Sequence, residues 1–173
     1  MAITLQIIGK KKSGKTTTML NFIEQAANMG LEVAAFKHTH HSVSMDVEGT
    51  DTYRFSQAGA NQVGMQNQRG FFWHEQRPMD QVVELEQEIE DFVGPSTDLI
   101  LIEGFKTASF PKLLLLRPED QRGDFVLDRL EYVGTLYQEK IHEGYLNFST
   151  KEKAQQWFEN WYEENKHGSA NTF

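Results

Sequence analysis

The sequence predicts an α/β fold: one three-layer domain in which a mostly parallel sheet is flanked by helices and carries an added β-hairpin. Three observations lead there. Ile3, Leu5, Ile7 and Ile8 form a short β-type run that stops at Gly9, and a helical face and a second strand follow it. That strand–loop–helix–strand order packs economically as a right-handed crossover between parallel strands. Residues 99–102 and 113–116 are continuous apolar runs, the pattern of strands covered on both faces. Two alternating stretches, 61–67 and 70–75, flank Gln68 and Arg69 and read as a hairpin.

Each element follows from its own residues. Met19, Phe22, Ile23 and Ala26 fall on one helix face, and Gly30 suits its end. Residues 31–37 read as the second strand. From Thr39 to Ala60 the chain is polar, with Gly49 and Gly59 as breaks and a short helix expected over 50–58. Residues 80–93 predict a helix with Val82, Val83, Leu85, Ile89 and Phe92 on its apolar side, ended by Gly94 and Pro95. Residues 132–137 predict a further strand. Ser149 and Glu152 have the spacing of a capping box, and Ala154, Trp157, Phe158 and Trp161 behind them predict a last amphipathic helix with its aromatic side in the core. A single domain over 1–166 accounts for the pattern, and 167–173 reads as a flexible tail.

Composition narrows the function classes. The 173 residues suffice for one ordinary core. With no cysteine there is no disulfide, thiolate zinc site, iron–sulfur cluster or cysteine nucleophile. Seventeen Lys and Arg against twenty-five Asp and Glu leave a formal charge of −8, which argues against wrapping nucleic acid or resting on an anionic membrane. No apolar run approaches the ~20 residues that span a bilayer, and the first residues lack the basic, apolar and small-residue order of a secretory signal. The expectation is a soluble, cytoplasmic protein.

The chemistry begins at Gly9. Gly9, Lys10, Lys11, Lys12, Ser13, Gly14, Lys15 and Thr16 fit the phosphate-loop pattern G-x-x-x-x-G-K-[ST] without a mismatch. The glycines let successive N–H groups turn toward one anion, and the following helix adds its positive end. Lys15 can reach β- and γ-phosphate oxygens, and the Thr16 hydroxyl can hold a magnesium ion. A lysine-rich solvated turn would not explain why Gly, Gly, Lys and Thr land at those offsets between a β run and a helical face. The domain is therefore expected to be P-loop NTPase-like. Lys10, Lys11 and Lys12 either attract a polyanion or form a solvated loop surface.

A nucleoside triphosphate site also needs a carboxylate near the metal, commonly at the end of a buried strand. Glu103 stands there, and Gly104 beside it allows close backbone approach. Asp46, Asp51 and Arg54 lie in the polar segment where a nucleophilic water or second ligand would be organised, or they are ordinary loop residues. His38, His40 and His41 favour hydrogen-bonding or anion-contact roles over zinc, for which they have no defined tetrahedral set. Phe71, Phe72 and Trp73 on the hairpin would leave a large ring on each face, so a neighbouring helix or a second subunit must cover one.

Taken in order, these motifs resemble the MobB family of molybdenum cofactor biosynthesis. The resemblance rests on residues 9–17, on Phe36 to His41, on Asp46, Asp51 and Arg54 leading into 58–60, on 99–106 and on 111–117. It implies GTP with magnesium, a slow intrinsic GTPase at most, and homodimers. It also implies partnership with the molybdopterin guanylyltransferase that attaches GMP to molybdopterin, with the molybdenum-inserting enzyme as a further partner and molybdopterin as a further ligand. By position, Gly9 to Thr17 would hold phosphates. Lys15, Asp46, Asp51 and Arg54 would serve turnover, with Thr16, Asp46 and Glu103 around the metal. Lys106, Lys112 and Arg117 would lie near the ligand or partner face. Guanine preference comes from the resemblance alone, since no Asn-Lys-x-Asp motif is present.

The residues themselves leave a second reading open, a small-molecule kinase that passes the γ-phosphate of ATP to a hydroxyl, with Asp46 or Asp51 as the orienting base. A third is a phosphate-loop module that binds only the organic cofactor's phosphate. Slow turnover fits the adapter reading, because no glutamine or arginine finger has a role fixed by the sequence.

Overall fold

A computed structural model describes residues 2–38, 47–68, 70–76 and 85–167. Two compact units are present: residues 1–38 with 85–173, and residues 39–84.

The larger unit is built on a six-stranded sheet. Its strands are β1 (Ile3–Gly9), β2 (Val33–Lys37), β5 (Leu99–Glu103), β6 (Lys112–Leu115), β7 (Leu130–Thr135) and β8 (Leu146–Asn147), in the order β2-β5-β1-β6-β7-β8. Every strand pair in it is parallel. Residues 99–103 and 112–115 are buried throughout, as their unbroken apolar character requires.

Alternation then divides the core. Leu5, Ile7, Leu99, Leu101, Leu113 and Leu115 face α1 (Lys15–Asn28) and α4 (Lys151–Asn165). Phe22 of α1 and Phe158 of α4 are fully buried there, their rings stacked at 5.0 Å. Burying side chains of this size contributes about 1.5–3 kcal/mol each. Trp157 and Trp161 extend the cluster, so the aromatic side of the last helix is core. On the other face, Ile100 and Ile102 pack under α3 (Leu85–Phe92), and Ile8, Leu114 and Leu116 under Phe125, Leu127 and Leu130.

The second strand and the last helix begin away from their expected positions, each for a local reason. The second strand starts at Val33, because the Leu31 N–H returns to Ala26 and the Glu32 N–H is taken by Asp98 Oδ2. The last helix is capped by Thr150, whose hydroxyl accepts from the Lys153 N–H. Ser149 is not the cap, since Asn147 Oδ1 accepts both its N–H and its hydroxyl. Residues 80–84 of the third helix, with Val82 and Val83, lie outside the described residues. Phe92 is 62% exposed rather than on the buried side.

The smaller unit holds α2 (Asp51–Gln57) and the antiparallel hairpin of β3 (Gln62–Asn67) and β4 (Gly70–Glu75). Thr50 caps the helix through the Tyr53 N–H. Phe71 and Trp73 stack at 6.1 Å over Gly64 and stay exposed, while Phe72 is half-buried on the opposite face. Among the described residues, no helix is long and apolar enough to cross a membrane.

Candidate functional site

In an open parallel sheet, ligands gather outside the carboxyl ends of the strands where the chain order reverses. Here β1 is that place: its neighbours β5 and β6 come much later in the chain, and α1 carries the chain over β5 to β2. The loop Gly9 to Gly14 leaves β1 at this end.

Backbone shape in the loop depends on its glycines. A Cβ on Gly9 would meet the Leu115 carbonyl at 2.6 Å and the Ser13 hydroxyl. Gly14 has φ +92 and caps α1 without a side-chain hydrogen bond, so the helix presents its first N–H groups to the loop. A Cβ there would lie 2.6 Å from Leu136 Cδ1. The Lys12 carbonyl accepts from the Tyr137 hydroxyl at 2.7 Å. Ser13 is fully buried, and its Oγ has no hydrogen-bond partner.

Lys15 folds back over the loop, its ammonium donating to the Gly9 carbonyl at 3.0 Å and the Lys10 carbonyl at 2.9 Å. Desolvation is the main cause that lowers its pKa from the ordinary 10.5; Glu103 opposes the shift, and Lys37 and Lys106 add to it. Thr16 Oγ1 donates to Glu103 Oε2 at 3.1 Å. Glu103 is buried, and its other oxygen pairs with Lys37 Nζ at 3.2 Å.

Behind Glu103 the chain reverses sharply. Gly104 has φ +94 and Phe105 φ +51, with a Gly104 Cβ position only 3.2 Å from His38 Cβ. Two buried side chains hold this reversal. Gln6 Nε2 donates to the Gly104 carbonyl at 2.6 Å and to that of Phe105. Lys112, its register partner on β6, donates to the Ala108 carbonyl at 2.6 Å and to Asp128 at 2.7 Å. Lys112 is therefore fully buried, and the expected place on a ligand or partner face is corrected: its cation is used inside the fold.

Three of the loop lysines separate by role. Lys10 points away from Lys15's carbonyl cradle to the buried Asp120, at 2.9 Å, and over the Phe125 ring. Asp120 also accepts from Arg117 Nε at 3.0 Å, Nη2 at 2.9 Å and the Arg117 N–H. The Arg117 guanidinium, chiefly, holds this carboxyl well below the usual range. Lys11 and Lys12 are exposed, as is Thr17.

Gly9 to Thr16, Glu103 and Gly104 thus come together. Asp51 and Arg54 lie on α2 in the other unit, where they pair with each other at 3.4 Å across one helical turn. Asp46, His40 and His41 lie outside the described residues. Lys37 was missed from sequence, because a lone lysine at a strand end carries no spacing signal.

The donor set suits a magnesium polyphosphate. Thr16 and Glu103 offer hard oxygen ligands side by side, and such an ion usually takes one or two protein oxygens together with phosphates. Among the described residues, no group of three or more His, Cys, Asp or Glu forms a self-sufficient metal site. The orphaned Ser13 hydroxyl against Gly9 is a further polar atom available to an anion in the loop.

A family model described as Molybdopterin guanine dinucleotide synthesis protein B matches residues 4–135. The chain is 33% identical over 160 residues to the molybdopterin-guanine dinucleotide biosynthesis adapter protein of Haemophilus influenzae, covering 91% of this chain and 88% of that protein. Its fold matches the crystal structure of Bacillus subtilis MobB with a TM-score of 0.65 at 27% identity, over 79% of this chain and 82% of that one. It also matches a MobB homologue from Bacillus stearothermophilus, with a TM-score of 0.66 at 21% identity over 93% and 98% of the two chains.

Proposed function

Because the chain belongs to the molybdopterin guanine dinucleotide synthesis protein B (MobB) family, we propose that it is a GTP-binding adapter of molybdopterin-guanine dinucleotide biosynthesis with slow intrinsic GTPase activity at most. The adapter role follows from the family. What supports the nucleotide is one junction: Lys15 lies across the loop on the Gly9 and Lys10 carbonyls, while Thr16 donates to the buried Glu103.

In this reading the loop N–H groups and the start of α1 bind the phosphates, and Lys15 exchanges its two carbonyl partners for phosphate oxygens. Thr16 and Glu103 hold the magnesium ion, with Asp46 as a further ligand; when bound, the ion neutralises charge on the β- and γ-phosphates. Asp51 and Arg54 act around the γ-phosphate. Turnover stays slow until a partner contributes an arginine or glutamine, groups worth roughly 10³–10⁵ in rate. That partner is the molybdopterin guanylyltransferase, with the molybdenum-inserting enzyme as a second and molybdopterin as a further ligand. The exposed Phe71 and Trp73 support a homodimer through the hairpin.

Calorimetric titration of the protein with GTP and with ATP, magnesium present, tests the reading against Lys15→Ala. Preference for GTP that is lost in the variant is the expected result. Preference for ATP would refute the adapter reading and direct the search to an acceptor hydroxyl.

A further inference from the structure

β2 and β5 are parallel and paired in register, so Lys37 and Glu103 end their strands side by side at the phosphate-loop end of the sheet. The Glu103 carboxylate is shared. One oxygen accepts the Thr16 hydroxyl at 3.1 Å, and the other meets the Lys37 ammonium at 3.2 Å. Only the bridging carboxylate therefore separates Lys37 from the threonine that opens the metal and phosphate site.

The charge balance here is uneven. Among the described residues, Lys37 and Lys106 both act on the Lys15 ammonium, with Glu103 as the carboxylate that opposes them. In a chain of net charge −8, such a local cationic excess invites a multiply charged anion. The Lys37 side chain is 58% exposed and that of Glu103 9%, so the ammonium neutralises a buried carboxylate and still keeps a solvent-facing side open to a ligand oxygen. Lys15 already has the loop, with two carbonyls holding its ammonium at the β1 end. Lys37 approaches from β2, two strands away, and so reaches the far side of the Thr16–Glu103 pair.

We propose that Lys37 is a second phosphate-binding lysine, which rests on Glu103 and moves to the terminal phosphate when a nucleoside triphosphate enters the loop. This rests on the reading that the loop takes such a nucleotide. A diphosphate fills the loop without offering an oxygen to Lys37, so the residue selects triphosphate over diphosphate. Leaving Glu103, it also frees the carboxylate oxygen it had neutralised.

The test is calorimetric titration with GDP and with the non-hydrolysable GppNHp, magnesium present, on wild type, Lys37→Met and Lys37→Arg; ADP and AMP-PNP form a second pair. Melting curves confirm that the variants fold. Lys37→Met is expected to bind GppNHp about 10–100-fold more weakly, the loss typical of one charge-assisted hydrogen bond. GDP affinity should stay within about twofold, and Lys37→Arg should recover part of the loss. Lys37 in wild type should also be protected from acetylation by GppNHp and not by GDP. Equal losses for both nucleotides, or no loss, would overturn the role of Lys37 while leaving the nucleotide reading intact. A wild type that binds neither pair would overturn both.

Discussion

Replacing Gly14 by alanine tests whether the loop backbone is as constrained as its geometry indicates. Two separate costs arise. At φ +92 an L-residue is strained by about 1–2 kcal/mol. The new Cβ would also lie 2.6 Å from Leu136 Cδ1 and 2.7 Å from Cδ2, overpacking that costs about 1–3 kcal/mol. Together they destabilise by about 2–5 kcal/mol. Leu136→Ala removes only the second cost from the Gly14→Ala background, so the two substitutions must couple favourably. Urea unfolding of wild type, both single variants and the double variant measures that coupling. We expect the double variant to be about 1–3 kcal/mol more stable than additivity predicts and still less stable than Leu136→Ala alone, because the backbone strain persists. Additive behaviour, or a Gly14→Ala variant within about 0.5 kcal/mol of wild type, would refute the reasoning.

Three further predictions follow from the polar groups and the hairpin. Lys112→Met keeps the volume but strips donors from the Ala108 and Phe110 carbonyls, at about 1–3 kcal/mol; Asp128→Ala should destabilise more, although Asp128 is the half-exposed partner, because it strands a buried cation, and thermal melting decides the order. Asp120 has a folded-state pKa held below the ordinary 3.8, so its contribution is complete at neutral pH and is lost as the pH falls from about 4 through the folded value; Asp120→Asn should flatten the acid side of the stability–pH curve, and an unchanged slope would refute the assignment. Phe71→Ser with Trp73→Ser should convert a dimer to a monomer in sedimentation equilibrium without loss of fold, and a monomeric wild type at micromolar concentration would refute the hairpin interface.

How much was legible depended on whether the physics is local. Gly9 and Gly14 announce the loop because its positive φ angles and close contacts demand glycine at those positions. The unbroken apolar runs at 99–102 and 113–116 announce buried strands for an equally local reason. Asp120 and Lys112 were less legible. Each looks like a polar residue flanking an apolar run, and only folding shows that its charge is buried and paired. Ser149 misled because an asparagine two residues earlier competes for its hydroxyl, and a capping-box spacing cannot register that. Gln6 shares the first strand with a second polar residue, Thr4, and nothing in the sequence says that its amide holds a reversal that begins at Gly104.

These less legible groups converge on one arrangement. Glu103 ends a buried strand, and the next two residues occupy left-handed backbone. For Phe105 that conformation costs about 1–2 kcal/mol, so it persists only if other contacts over-determine it. Gln6 and Lys112 supply them from adjacent positions on β1 and β6, binding carbonyls at 104, 105, 108 and 110. Glu103 is thereby held at the turning point, against Thr16 on one side and Lys37 on the other. The polar groups buried under the central strands thus act on the site from below: they keep the carboxylate within reach of the Thr16 hydroxyl and the Lys37 ammonium, rather than making the core more stable than an apolar one would be.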